Sequence, residues 1–413
     1  METPLHSEYA ARVMEAVQSS AVPAETVQNR PNVKMIALLA LGHLCVDTNG
    51  GAIAAILPYI KVAQNLSYTA VGILVLVTNL TSSVVQPVFG YYSDRRARRW
   101  MLPTAVLFAG LGMGLTGLAG NYWIVMLLLV VMGLGSASYH PEGYRTAAAV
   151  AGARKATAIS WFSVGGNVGI AIGPPVITFL VVNFGLRGTL GMIIPSIAIS
   201  AMILPALSVV GAETRAHPAV GSASAAEVNR WGAMAILIVV VAIRSWTQLG
   251  FATYIPFYVL ETLKAGPERV ASMLFVFLGA GAVGTLIGGP MADRWGAKRF
   301  IVWGFLFTVP MGVLFLRSSG ALAYIFLALF GGAVVATFTT SVVLGQAYLP
   351  RAPGMASGLI VGLAMGTGGL AVTLFGRIAD VYGVPVVLWI CALLPIAGLL
   401  AAAALPAAGS GDI

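Results

Sequence analysis

Most of this chain is apolar, so the few ionisable residues inside its apolar runs stand out as the groups able to do chemistry. Asp47 lies near the middle of the first long run, with His43 four residues before it. On a helix that spacing stacks the two side chains on one face. His140 and Glu142 flank Pro141 in the fourth run, with Arg145 three residues beyond Glu142. Arg244 lies near the middle of the seventh. A carboxyl and an imidazole on one face can pass or hold a proton. A guanidinium offers a planar fork for a carboxylate or phosphonate. Each group also has a plain structural reading. Asp47 can bond to a hydroxyl or the backbone, and His43 can be a satisfied packing residue. Arg244 can hold a backbone carbonyl or Asp47, and Glu142 can pair with Arg145.

The elements that must position these groups follow from composition. The chain has 413 residues, of which 58% are hydrophobic and 9% charged, with a mean hydropathy of +0.90. Soluble domains carry about 25% charged residues. Twelve apolar runs fall at 34–60, 68–91, 100–119, 122–146, 155–182, 187–210, 232–260, 268–291, 299–317, 321–349, 354–379 and 384–405. A run of about 20 apolar residues spans a bilayer as a helix. The expected fold is therefore an all-α membrane protein of about twelve transmembrane helices. Intramembrane charge is disfavoured enough that Asp47, His140, Glu142 and Arg244 are functional candidates by position. Asn49, Tyr139, Asn167, Gln248 and Tyr254 are further polar groups placed in spans, expected to line a cavity and contact a substrate. The kink expected at Pro141 comes from its missing amide and its clash with the preceding turn.

The cations set an orientation. With the N-terminus inside, sixteen Lys and Arg fall on the cytoplasmic side and six outside, Arg244 lying within a span. The excess places both termini in the cytoplasm of a cell inner (plasma) membrane protein. Despite a net charge of +9, the cations form short clusters rather than one basic face, which argues against a nucleic-acid partner. Residues 1–33 read as a cytoplasmic tail, 34–210 and 232–405 as two six-helix bundles, 211–231 as a cytoplasmic linker and 406–413 as a second tail. Cys45 and Cys391 lie in apolar runs without metal-ligand spacing, so no metal site is expected. The sequence holds no phosphate-binding Gly-x-x-x-x-Gly-Lys-Ser/Thr run and no nucleophile–base arrangement, so neither catalytic residues nor a cofactor are expected.

The two halves repeat each other. Gly90-x-x-x-Asp94-Arg95 and Gly289-x-x-x-Asp293-Arg294 sit between spans about 200 residues apart, each followed by further cations that include Arg99 and Arg299. Leu57-Pro58-Tyr59 matches Ile255-Pro256-Phe257, and glycine-rich segments recur in the fifth span (Gly165, Gly166, Gly169, Gly173) and the eleventh (Gly362, Gly366, Gly368, Gly369). Transporters built from such repeats bind cargo near the midplane between the halves.

The doubled Gly-x-x-x-Asp-Arg loop resembles the signature of the major facilitator superfamily, and Gly169-Ile-Ala-Ile-Gly173-Pro174-Pro175 is similar to the glycine–proline motif of its antiporter branches. Gly42-His43 through Asp47, Tyr139-His140-Pro141-Glu142-Gly-Tyr-Arg145, Phe162 through Gly169, Arg244-Ser245 and Ile255-Pro256-Phe257-Tyr258 together resemble the fosmidomycin-resistance-protein family of drug efflux transporters. Val46 and Ala97 depart from that family's usual Asn and Gly. The resemblance implies a secondary active transporter without a cofactor, acting as a monomer on a small molecule and protons in the lipid bilayer. It implies proton-coupled export, with Asp47, His43, Glu142 and His140 in coupling and Arg244 on an anionic cargo. The residues alone leave import of an organic anion by proton symport open. It further implies that Gly90, Asp94, Arg95, Arg99, Gly289, Asp293 and Arg294 form a conformational latch. In that latch Asp94 would meet the positive N-terminal end of the eleventh span, and Asp293 that of the fifth.

Overall fold

A computed structural model describes residues 31–95, 100–152, 155–213 and 228–406. Among these, twelve helices are long and apolar enough to cross a membrane. We number them α1 (Val33–Ala63), α2 (Tyr68–Tyr92), α3 (Met101–Leu118), α4 (Tyr122–Ala149), α5 (Ala158–Phe184), α6 (Leu186–Leu207), α7 (Trp231–Thr262), α8 (Pro267–Trp295), α9 (Ala297–Arg317), α10 (Gly320–Tyr348), α11 (Met355–Tyr382) and α12 (Val384–Ala403). Their starts carry the caps the sequence provides. Asn32, Ser67 and Asn121 each accept a hydrogen bond from the backbone amide three residues on, at 3.1 Å. Such caps satisfy amides that have no partner within the helix. α4 runs as one helix through Pro141. The expected tail 1–30, the linker residues 214–227 and residues 407–413 lie outside the described residues.

The helices form two bundles, α1–α6 and α7–α12. With lipid on both sides, helices gain little from the hydrophobic effect on associating and pack instead through close backbone contact. The α1–α5 seam shows how. Gly165, Gly169 and Gly173 recur every four residues down one face of α5. A Cβ at Gly165 would lie 2.2 Å from the Ala40 carbonyl oxygen, at Gly169 2.3 Å from that of Leu44, and at Gly173 2.5 Å from that of Thr48. The glycines of the eleventh span serve a different contact. A Cβ at Gly369 would sit 2.7 Å from the Leu76 Cα of α2, across the boundary between bundles, and one at Gly368 2.6 Å from Ser245 Oγ of α7. The recurring glycine-rich segments therefore hold one bundle together in the first half, while in the second Gly369 meets the other bundle and Gly368 packs within its own.

Three helices contain π-helical turns, Leu80–Val84 in α2, Tyr258–Thr262 in α7 and Leu359–Ala364 in α11. The turn in α2 ends three residues before Pro87, which has no amide to continue the ordinary ladder. Such turns concentrate at functional sites.

Replacing Gly169 by Leu should lower the thermal stability of the detergent-solubilised protein by about 1–3 kcal/mol through overpacking. Gly120→Leu, where nothing lies within 4 Å of the added Cβ, should melt with the wild type. Equal melting of the two variants would show that the α1–α5 seam tolerates separation.

Candidate functional site

The first four turns of α1 bring His43 and Asp47 to the face that α4 and α5 cover. His43 is held on two sides by Phe162 of α5. The rings stack with centroids 4.2 Å apart, and His43 Nδ1 lies 2.8 Å from the Phe162 carbonyl oxygen. His140 of α4 is oriented in the same way, its Nδ1 2.8 Å from the Ser136 carbonyl oxygen. A carbonyl only accepts, so in both residues Nδ1 carries the proton and donates. Both Nε2 atoms then face one carboxyl group. His43 Nε2 is 3.2 Å from Asp47 Oδ2, and His140 Nε2 is 3.3 Å from Asp47 Oδ1.

This arrangement has a proton count built into it. A neutral Nε2 is an acceptor, as is each carboxylate oxygen. Each of the two contacts becomes a hydrogen bond only when a proton lies between its atoms. With two such protons the triad carries a net charge of +1, with one it is neutral, and with none it is −1 and two acceptors face acceptors. Three Nε2 and carboxylate ligand atoms within 4.8 Å of one another also form the one His/Asp cluster of its kind among the described residues. The linear sequence shows no metal-ligand spacing because His140 reaches the cluster from a different helix. The carbonyl bonds to Nδ1 are the kind of outer support that orients imidazoles towards a bound partner.

Asp47 also lines a cavity of about 260 Å³ between the bundles. Its wall is mostly apolar, from Val46 and Leu57 of α1, Val75 of α2, Met132 of α4, Ile170 of α5, Leu249 of α7 and Leu278 of α8. Polar groups enter from Thr78, Asn79 and Ser82 of α2, Ser136 of α4, and Gln248 and Thr253 of α7. Asp47 is the one ionisable side chain among the described lining residues. Asn79 Oδ1 is buried without a hydrogen-bond partner among the described residues.

The other expected site residues are spread more widely. Gln248 lines the cavity as expected. Tyr139 donates its hydroxyl to the Leu39 carbonyl, Tyr254 to the Val372 carbonyl, and Asn49 its amide to the Cys45 carbonyl. All three are buried and tie helices or turns together rather than facing the cavity. Asn167 is half-buried on α5 and is not part of the cavity wall. Glu142 is fully buried and forms an ion pair with Arg145. Arg244 turns away from the cavity into the second bundle. Its Nε donates to the Val334 carbonyl at 3.0 Å, its guanidinium lies 4.9 Å from the Phe338 ring centroid, and Nη1 is buried without a partner among the described residues. The fork expected to face an anionic cargo faces α10 instead, where the Val334 carbonyl and the Phe338 ring engage it.

At the charged-loop end Gly90 approaches Pro141, where an added Cβ would lie 3.8 Å from its Cβ. Asp94 and Arg95 end the second span's helix, and Arg99 lies outside the described residues. Gly289, Asp293 and Arg294 lie on the last turns of α8, and Asp293 and Arg294 are exposed.

The opposite end carries a contact that the sequence reading did not single out. Asp380, on the last turn of α11, caps the start of α2 across the bundle boundary. Its Oδ1 accepts from the Tyr68 amide at 2.7 Å, and its Oδ2 accepts from the Thr69 amide at 3.0 Å and the Thr69 hydroxyl at 2.5 Å. Tyr68 donates its hydroxyl to Glu261 of α7, Lys61 lies 4.3 Å from the Tyr68 ring centroid, and Phe257 meets that ring edge-to-face at 5.3 Å. The signal was available as an acid at the end of one span and a Ser67-capped helix start in the other half. It is the same acid-to-helix-end logic expected of Asp94, found here at the other end of the molecule.

The family model of the Major Facilitator Superfamily matches residues 39–371. The chain belongs to this superfamily. The fosmidomycin resistance protein of Escherichia coli (strain K12) is 31% identical over 389 residues, covering 91% of this chain and 94% of that protein. YfnC, an MFS-type transporter of Bacillus subtilis (strain 168), is 31% identical over 375 residues, covering 89% and 91%. In structure the chain is similar to the nucleoside transporter NupG, with a TM-score of 0.73 at 13% identity over 89% of this chain and 98% of that one. A bacterial homolog of the human lysosomal transporter Spinster gives 0.69 at 14% identity over 90% and 96%. These likenesses make the chain a multi-pass membrane transporter of small molecules, related to multidrug and antibiotic-resistance transporters, and not an enzyme.

Asp380→Asn keeps the shape but turns one acceptor into a donor facing a backbone amide. Losing a cap costs about 0.5–2 kcal/mol. Spin labels at Asn65 and Gly383 should therefore show a larger long-distance population in the variant. An unchanged distance distribution would mean that other contacts alone hold this end closed.

Proposed function

We propose that this transporter exports small molecules from the cytoplasm in exchange for protons, with the His43–Asp47–His140 triad as the proton carrier. The observation that carries the reading is one carboxyl group held between two imidazoles on the wall of the cavity between the bundles. The triad can change charge by taking up or losing bridging protons. Because it borders the cavity, rocking of the bundles would expose it to one side of the membrane and then the other. The excess of cations on the Asp94 and Asp293 loops supports placing that end, and both termini, in the cytoplasm. The closure by Asp380 and Tyr68 would then be the outer gate. The names of relatives support export. One is named a fosmidomycin resistance protein, and another, MdtG of Escherichia coli O81 (strain ED1a), a multidrug resistance protein.

His43 serves here as more than packing, since its Nε2 meets the carboxyl group while its Nδ1 is pinned to α5. Glu142 is better suited to holding Arg145 near the end of α4 than to carrying protons, because that ion pair already engages it. Symport of an organic anion is less well supported, since the described cavity wall supplies no Lys or Arg.

Asp47→Asn keeps the size of the side chain and removes its titration. In inverted vesicles, the variant should lose accumulation driven by a pH gradient yet still exchange labelled for unlabelled cargo when the cargo is saturating. If it still concentrates cargo at the expense of the gradient, the proton carrier lies elsewhere.

A further inference from the structure

The cavity also bears on what is carried. We infer that its preferred cargo is a small, largely apolar molecule bearing a protonated amine, which donates to Asp47 in place of a bridging proton; this rests on the proton-exchange reading above. Three observations lead there. Among the described lining residues, the cavity's one ionisable side chain is an acid. Asn79 adds a buried oxygen without a partner among the described residues, and Gln248 a second carboxamide able to accept. Arg244, the cation within a span, is bonded to α10 and is not part of the cavity wall. The rest of the wall is aliphatic, which suits an apolar body behind a polar head.

The triad's proton count then ties the sign of the cargo's charge to the direction of coupling. The titratable groups facing Asp47 are His43 on its own helix and His140 on α4, with Tyr139 and Tyr144 of α4 beyond them. α5 brings the backbone of Gly166 and the ring of Phe162 rather than an ionisable group. With two bridging protons the triad is +1 and repels a cation. Losing one or both brings it to neutral or −1 and opens carboxylate oxygens to an ammonium. Binding of a cation therefore releases a proton from the triad to cavity water, and reprotonation expels the cation. That is exchange. An anion would instead bind best to the fully protonated triad and travel with its protons. Antiport and a cationic cargo belong together in this cavity, as do symport and an anionic one.

Equilibrium binding to the purified transporter in nanodiscs tests this without any gradient. The probes are tritiated 2-phenylethylamine, its trimethylammonium analogue and a phenylethyl phosphonate of the same length. The amine should bind at least tenfold more tightly at pH 8 than at pH 6 and at least tenfold more weakly to Asp47→Asn. The quaternary analogue, which keeps the charge but lacks the N–H donors, should bind more weakly than the amine. Asn79→Leu should weaken the amine severalfold while melting with the wild type, which separates a lost contact from a lost fold. No amine binding at millimolar concentration, amine affinity indifferent to Asp47→Asn, or a phosphonate that binds more tightly than the amine overturns the inference. A pH-sensitive dye separates it from the reading beneath it. Asp47-dependent amine binding without proton release would leave the cargo assignment standing and remove proton exchange. Loss of gradient-driven transport in Asp47→Asn, with no amine binding to the wild type, would do the reverse.

Discussion

A carboxyl group in the middle of a membrane span must find its partners inside the protein, because hydrocarbon offers none. Asp47 meets that demand with two imidazoles, and much of the first bundle follows from it. His43 turns its Nε2 to Asp47 while its Nδ1–H donates to the Phe162 carbonyl of α5. α5 comes close enough to do so only because Gly165, Gly169 and Gly173 let its backbone rest on the carbonyls of α1. At Gly166 an added Cβ would fall 2.4 Å from His43 Nε2 and 2.7 Å from Asp47 Oδ2. The glycine stripe is thus a packing device and also the space in which the triad sits.

The second bundle repeats the architecture but not the chemistry. Its seventh helix carries Arg244 at the position that matches Val46, with Ser245 matching Asp47, and the two charges do not meet. Arg244 is instead satisfied in part by the Val334 carbonyl and the face of Phe338. A guanidinium keeps its proton in proteins, so this site cannot exchange charge with either side of the membrane. Both bundles supply cavity wall, and both sides of the Asp380–Tyr68 contact, but the carboxyl–imidazole triad belongs to the first alone.

Much of the fold could be read from the sequence because span length and charge scarcity are one-dimensional properties. The twelve apolar runs reappear as helices with ends shifted by a few residues, as at α4, which continues to Ala149. The pairing of His43 with Asp47 was legible from a spacing of four. Its completion by His140 was not, since the helix register of α4 against α1 is set by side-chain packing that no local pattern encodes. The same limit explains Arg244. Its position in the span was clear, but whether a residue faces the cavity depends on rotation of the helix about its axis, and an all-round apolar helix gives that rotation little signature. Asp380 was overlooked for a related reason. An acid at a span end reads as an ordinary interfacial charge until a helix start from the other bundle is brought against it.

The contacts also differ in what they permit. Along α1 and α5 the backbones touch at successive turns, so sliding one past the other would drive glycine Cα atoms into carbonyl oxygens. The triad must therefore move with its bundle as a unit. The boundary between α2 and α11 is built otherwise. Glycine contacts at Gly72, Gly369 and Gly376 lie along it, but both helices also contain π-helical turns, Leu80–Val84 and Leu359–Ala364. Each such turn carries a residue more than the ordinary ladder would hold, and returning to that ladder would rotate everything beyond it. Asn79 and Ser82, which flank and enter the turn in α2, are cavity residues. The cavity wall thus includes the least regular part of α2, while Asp380 caps that helix at its far end. The rigid seam keeps the triad assembled, and the irregular one gives the bundles a place to part.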